Sequence, residues 1–170
     1  MGAMHKAIPT IRLVSLLLLA LALGSCGFAL RGSDAVSASF RELALNLEQP
    51  NSELGRLVQR SLESAGVDTS PAPGASVATL NLGSEQLISR PVTVNPRARA
   101  AQYDIRLSVP VSLVRAGEFL ITEQNLMVER RHFEDIANIA GNREEVEIIA
   151  AEMRRDLVNQ LMRRLEAAGS

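Results

Sequence analysis

Tyr103-Asp104-Ile105-Arg106-Leu107-Ser108-Val109-Pro110-Val111-Ser112-Leu113 (YDIRLSVPVSL) decides the fold. Tyr103, Ile105, Leu107, Val109, Val111 and Leu113 fall on one face. Asp104, Arg106, Ser108 and Ser112 fall on the other. Successive side chains of a strand point to opposite faces, so this alternation describes a strand buried on one side and wetted on the other. Pro110 lies on the polar side. It has no N–H to give to a ladder and therefore implies an edge or a bulge.

Such a strand needs neighbours beside it and a layer over its apolar face. Ala116-Gly117 makes a tight connection, and Phe119 to Arg131 returns as the second arm of a hairpin. Upstream, Val77 to Ser89 reads as another strand, with Ala78, Leu80 and Leu82 in phase until the pattern slips near Gly83. Phe40 to Leu47, with Leu43, Leu45 and Leu47 alternating, is a short first strand. Pro50-Asn51-Ser52 opens a helix whose stripe is Leu54, Leu57, Val58, Leu62 and Ala65, and Gly66 ends it. Pro71-Ala72-Pro73-Gly74 is a loop.

After Gly141, Asn142 to Glu145 has the spacing of a capping box. Glu144, Glu145 and Glu147 at the start and Arg163 and Arg164 at the end match a helix dipole. Val146, Ile149, Ala150, Met153, Leu157, Leu161 and Leu165 supply the apolar stripe. The expected order is β-α-β-β-β-α. This predicts a single α+β domain, with two helices packed on one face of a four-stranded mixed sheet.

The N-terminus belongs to a different physical regime. Lys6 and Arg12 precede the uncharged run Leu13 to Leu23, and Gly24 and Ser25 follow, the order of a secretory signal peptide. The run is short of the ~18 residues of a transmembrane helix. The only cysteine, Cys26, closes the site Leu23-Gly24-Ser25-Cys26, which resembles a bacterial lipobox. That resemblance implies cleavage before Cys26, a diacylglyceryl thioether on its sulfur and acylation of the new amine. More than one acyl chain is needed for stable anchoring. Gly27, rather than Asp, follows the cysteine, so an enterobacterial-type sorting scheme would not retain the product at the inner membrane. The expected organisation is a signal peptide at 1–25, a lipidated tether at 26–39 and a periplasmic domain at 40–170.

Removing residues 1–25 leaves 145 residues with a formal charge of −3, no nucleic-acid-binding balance. The remaining chain has no lysine, so any anion site must be built from guanidinium groups. A lone cysteine forms no intramolecular disulfide. His132 is the only histidine of the mature chain and reads as a solvated strand-end residue rather than a metal or catalytic group. No phosphate loop, nucleophile elbow or zinc-protease motif occurs, so binding is favoured over catalysis, with no cofactor and no metal.

One cluster stands out. Arg90, Arg97 and Arg99 lie in RPVTVNPRAR, and outward-facing Arg106 follows, with no acidic residue from Arg90 to Ala101. Two readings fit: a solvated loop with dispersed charge, or an anion cradle of arginine forks held by prolines.

The mature start Cys26-Gly27-Phe28-Ala29-Leu30-Arg31-Gly32, the strand Tyr103 to Val111 and the element order are similar to the LPS-assembly lipoprotein family, LptE. The resemblance implies an outer-membrane lipoprotein facing the periplasm, with two helices on a four-stranded sheet. It further implies a plug inside the β-barrel protein LptD that helps deliver lipopolysaccharide to the outer leaflet and binds it. On that reading Arg90, Arg97, Arg99 and Arg106 are candidate lipopolysaccharide contacts, and the polar sheet face suits a barrel lumen. An auxiliary lipoprotein of another envelope transporter and a tethered envelope hydrolase are the competing readings.

Overall fold

A computed structural model describes residues 34–74, 76–94, 100–133 and 139–169. In chain order the elements are α1 (Asp34–Ser39), β1 (Leu43–Leu47), α2 (Glu53–Ser64), β2 (Ala78–Leu82), β3 (Gln86–Val94), β4 (Ala100–Arg115), β5 (Glu118–Phe133) and α3 (Ile139–Ala168). All described residues belong to one compact unit, Gly32–Ser170.

The alternating strand is β4, and it organises the rest. Ile105, Leu107, Val109, Val111 and Leu113 are all buried, each at most 2% exposed, while Arg106 is exposed. Along one edge β4 pairs antiparallel with β5, from Gln102 opposite Phe133 to Arg115 opposite Glu118. Ala116 and Gly117 join them, with φ of 53° and 85°. Positive φ at both central residues is the hairpin turn whose twist matches the strands it connects.

Along its other edge β4 carries two strands in succession. β2 pairs with Val111 to Val114 and β3 with Ala100 to Ser108, and β1 adds to β2 in parallel. The sequence predicts four strands and the structure has five, because the strand expected over Val77 to Ser89 is broken at Gly83 to Glu85. Pro110 is the physical reason. Its carbonyl accepts from the Gly83 N–H at 2.9 Å. A strand residue's C=O and N–H point to the same edge, so the donor that Pro110 lacks is missing on that side. A Cβ on Gly83 would approach the Pro110 ring to 2.9 Å, which leaves room only for glycine. The sequence implies an edge or a bulge at Pro110; the structure instead places it within a central strand, opposite Asn125 on one side and facing the break between β2 and β3 on the other.

The helices cover one sheet face. Ser52 caps α2, its hydroxyl accepting from the Gly55 N–H at 3.0 Å. Leu54, Val58 and Leu62 bury the predicted stripe, and Gly66, with φ of 80°, takes the left-handed position just past the helix. Met153, Leu157, Leu161 and Leu165 of α3 complete the core at 1% exposure or less.

Three expectations shift. α3 begins at Ile139, so Asn142 lies inside it and is not a cap, and the acidic group at Glu144 to Glu147 is past the first turn. Residues 34–39, expected within the tether, form α1, whose Val36 is fully buried. His132, expected to be solvated, is 4% exposed, because β5 runs on under the early turns of α3.

Candidate binding surface

The sheet face away from the helices carries the polar chemistry. Asn46 Nδ2 donates to Asn81 Oδ1 at 2.8 Å, and Asn81 Nδ2 donates to Ser112 Oγ at 3.0 Å. This polar ladder crosses β1, β2 and β4 at one level, because Asn46 stands opposite Asn81 and Asn81 opposite Ser112. A shallow cleft of about 330 Å³ opens beside it, lined by Asn46, Glu48, Asn81, Pro110, Ser112 and Glu123 among others. Ser84 Oγ donates to Glu48 Oε2 at 2.6 Å on its rim.

Further along the same face the polar groups become charged. Arg106 lies opposite Glu129, with Nε and Nη2 at 2.7 and 2.6 Å from Oε1. Arg131 lies opposite Asp104, with Nε–Oδ1 at 3.3 Å. Directly opposed residues share a face and their side chains meet, which is why these cross-strand pairs form. All four groups are well hydrated, so each pair contributes at most ~1 kcal/mol.

Arg90 stands opposite Asp104 on β3 and is exposed, with no ion pair among the described residues. Thus Arg90 and Arg106 share the outer face one pleat apart. The difference between them is chemical: Arg106 is already engaged by a carboxylate. Arg97 and Arg99 lie outside the described residues, as does Cys26. Apolar groups interrupt the charged region, with Ile88, Met127 and Phe133 exposed at 38%, 47% and 69%. The surface is therefore amphiphilic, with arginines and apolar side chains interleaved.

On the opposite side, one charged cluster has a structural role that sequence reading missed. Arg154 of α3 donates from Nε to both Glu85 oxygens at 3.0 Å and from Nη1 to Glu53 Oε2 at 2.7 Å. Its side chain is 18% exposed and that of Glu85 is 12%. Hydrogen bonding to Glu85 raises the guanidinium pKa above its ordinary value, against the lowering effect of burial. The break at Gly83 to Glu85 thus turns a carboxylate toward the helices, where it ties α3 to the start of α2. No local pattern marks this triad, whose members are separated by up to 101 residues.

The family model for LptE, lipopolysaccharide-assembly, matches residues 40–165. The chain belongs to the LptE family. It is similar to the LPS-assembly lipoprotein LptE of Pectobacterium atrosepticum, 27% identical over 141 residues, covering 82% of this chain and 76% of that one. It is also similar to the LPS-assembly lipoprotein LptE of Photorhabdus laumondii, 28% identical over 156 residues, with coverage of 91% and 85%. Among solved structures, the fold matches rare lipoprotein B from Shewanella oneidensis with a TM-score of 0.63 at 22% identity, covering 73% of this chain and 89% of that one. Lipoprotein B from Nitrosomonas europaea matches with a TM-score of 0.67 at 19% identity, covering 83% and 91%.

The family match takes in all five strands, α2 and most of α3, and so includes the outer face. The α+β expectation holds, with the sheet mixed and antiparallel except for the β1–β2 pair. Among the described residues no helix is long and apolar enough to cross a membrane. No group of three or more His, Cys, Asp or Glu side chains suited to a metal occurs among them either.

Proposed function

We propose that this chain is a lipopolysaccharide-assembly lipoprotein of the outer membrane. It is held by acyl chains on Cys26 and seated as a plug in an LptD-like β-barrel, where it binds lipopolysaccharide. The family match over residues 40–165 carries the reading. The geometry supports it, because a large barrel has a polar interior and the outer sheet face offers a polar ladder followed by paired charges. Binding and assembly, not catalysis, are its work.

Affinity purification from native outer membranes tests the partner. Recovery of a large β-barrel in stable one-to-one association is expected, and its absence would remove the plug. Mass spectrometry tests the anchor. The mature N-terminal peptide begins at Cys26 and carries acyl mass, and Cys26→Ala leaves an uncleaved or soluble product.

Ligand binding is assigned to Arg90, Arg97, Arg99 and Arg106 gripping the phosphorylated sugar head. Each shielded contact contributes ~1.5–3 kcal/mol, and an exposed one far less. Arg106 must exchange Glu129 for phosphate, so Arg90 is expected to matter more. Replacing the arginines by lysine weakens binding although the charge is kept, because the planar fork is lost. Glutamate weakens it further. Equal affinity of the anchor-free protein for native and dephosphorylated lipopolysaccharide would reject the arginine assignment and leave the plug intact.

A further inference from the structure

We infer that the free edge of β3, from Leu87 to Pro91, takes up an additional strand from a protein partner that presents an extended segment carrying a carboxylate. The inference concerns the rim of the sheet and stands apart from the anchor and the barrel. Arg90 also belongs to the phosphate assignment above, so lipopolysaccharide is kept out of the test.

Among the described residues β3 pairs with β4 alone. The opposite rim differs, since the free side of β5 is bonded to α3 through Gln160 and Arg164. One hydrogen bond fixes which backbone groups β3 turns outward. The Pro110 carbonyl accepts from the Gly83 N–H, so it points toward the rim that carries β2 and β3. Backbone polar groups alternate between the two edges of a strand, so those of Ser108, Arg106 and Asp104 point the same way. Their partners Gln86, Ile88 and Arg90 are therefore the residues that exchange hydrogen bonds with β4. Leu87, Ser89 and Pro91 turn theirs to the open side. Pro91 agrees with this, because its missing N–H falls where the ladder needs no donor. The open side thus offers donors from Leu87 and Ser89 and acceptors from Leu87, Ser89 and Pro91.

Side chains leave the same edge uncovered. Leu87, Ile88 and Val92 are 42%, 38% and 49% exposed, and Ser89, Arg90 and Pro91 are exposed with them. Leu87 stands opposite Leu107 and Ile88 opposite Arg106, so apolar groups are bare on both faces of the strand. Edges are commonly blunted by proline or by a bulge. Here Pro91 and the register shifts beyond it blunt only the far end. An added strand suits what remains, with main-chain bonds giving affinity and alternate side chains giving specificity.

Charge decides the occupant. Arg90 is exposed beside this edge and has no ion pair among the described residues, while Asp104 opposite it is already engaged by Arg131. Directly opposed residues of paired strands share a face. An incoming strand with a carboxylate against Arg90 and an apolar side chain against Ile88 therefore satisfies both. β3 itself has no acidic residue, so pairing with a second copy leaves both Arg90 charges unmet.

The test uses the full-length lipoprotein, purified with its acyl chains in detergent and free of lipopolysaccharide. The probe is the peptide acetyl-Thr-Val-Thr-Glu-Thr-Val-Thr-amide. Saturating peptide should slow hydrogen exchange at the Leu87 and Ser89 amides several-fold, and leave the Ile88 and Arg90 amides, already slow, unchanged. Two versions N-methylated at alternate residues should split, one keeping its affinity and the other losing at least ~10-fold, because a strand pairs through one edge. Lysine in place of the glutamate should weaken binding a few-fold, the size of a hydrated ion pair, and Arg90→Glu should reverse that preference. Ser89→Pro removes an outward donor and no bond of the β3–β4 ladder, so it should weaken binding where Ser89→Ala does not. Should Ser89→Pro fail to fold, the N-methylated pair decides alone. Parental affinity in both N-methylated versions, unchanged exchange at Leu87 and Ser89, or no binding at millimolar peptide would overturn the strand addition. Self-association of the protein that the peptide reverses would make the occupant a second copy and overturn the acidic partner.

Discussion

Arg154 shows how a single side chain joins three elements that lack a continuous backbone link. Its guanidinium spans Glu85 at the strand break and Glu53 in the first turn of α2, and little of it reaches water. Arg154→Leu leaves the Glu85 carboxylate poorly compensated, and a half-buried site of this kind is expected to lose about 2 kcal/mol. Urea unfolding of the anchor-free domain measures it. Adding Glu85→Leu should recover most of the loss, since the isolated charge, rather than the missing bridge, is the larger cost. A double variant as unstable as Arg154→Leu would show that the fork itself carries the stability. His132 teaches the complementary lesson about what a sequence exposes. Its neighbours Arg130 and Arg131 suggest a solvated strand end, yet its ring is buried opposite Tyr103, with Nδ1 unbonded and the nearest Glu145 oxygen at 3.5 Å. Nothing local to the sequence says how far α3 reaches back over β5.

At the scale of elements, what was legible followed from period and punctuation. The alternation from Tyr103 to Leu113, the Ser52 cap and the Ala116-Gly117 turn each report local backbone physics, and each is where it was expected. The strand break was visible only as a slip near Gly83, because its cause lies in Pro110 on another strand. Two predictions follow from these geometries. Gly83→Ala drives a Cβ against the Pro110 ring and should cost about 1–3 kcal/mol. In the Pro110→Ala background the same change should cost clearly less, and a double-mutant cycle with no coupling would assign the penalty to backbone conformation instead. The hairpin offers the opposite sign. Ala116 holds φ at 53°, a region disfavoured for alanine by ~1–2 kcal/mol. Ala116→Asn supplies the residue this turn prefers and should raise the melting temperature. A fall would mean that strand pairing beyond the turn dictates the local geometry.

At the scale of the whole molecule, the fold separates stability from interaction by putting them on opposite faces of one strand. From Ile105 to Leu113 the odd positions of β4 enter the core and the even positions lie on the other face, so adjacent residues have unrelated tasks. The α3 helix sharpens the division. Asp156, Gln160 and Arg164, four residues apart, bond Arg130, the Met127 carbonyl and Gln124 along β5, so that strand's free side is laced to a helix. Covering a long edge in this way limits pairing with stray strands. The candidate site was legible as a polar face, but its pairing was not, since Arg106–Glu129 depends on a register fixed by the hairpin turn. Adjacent positions therefore make a paired test of the plug. Leu107→Ala empties core space and should cost about 2–5 kcal/mol in the isolated domain. Ser108→Trp, its neighbour on the outer face, should change the domain's stability by no more than about 0.5 kcal/mol, as is usual for surface substitutions. If the outer face meets a barrel wall, the bulky ring at position 108 blocks seating, and the barrel is lost from affinity purification although the domain folds. Retention of the barrel by a folded Ser108→Trp protein would place the contact on another face, the helices being next in line.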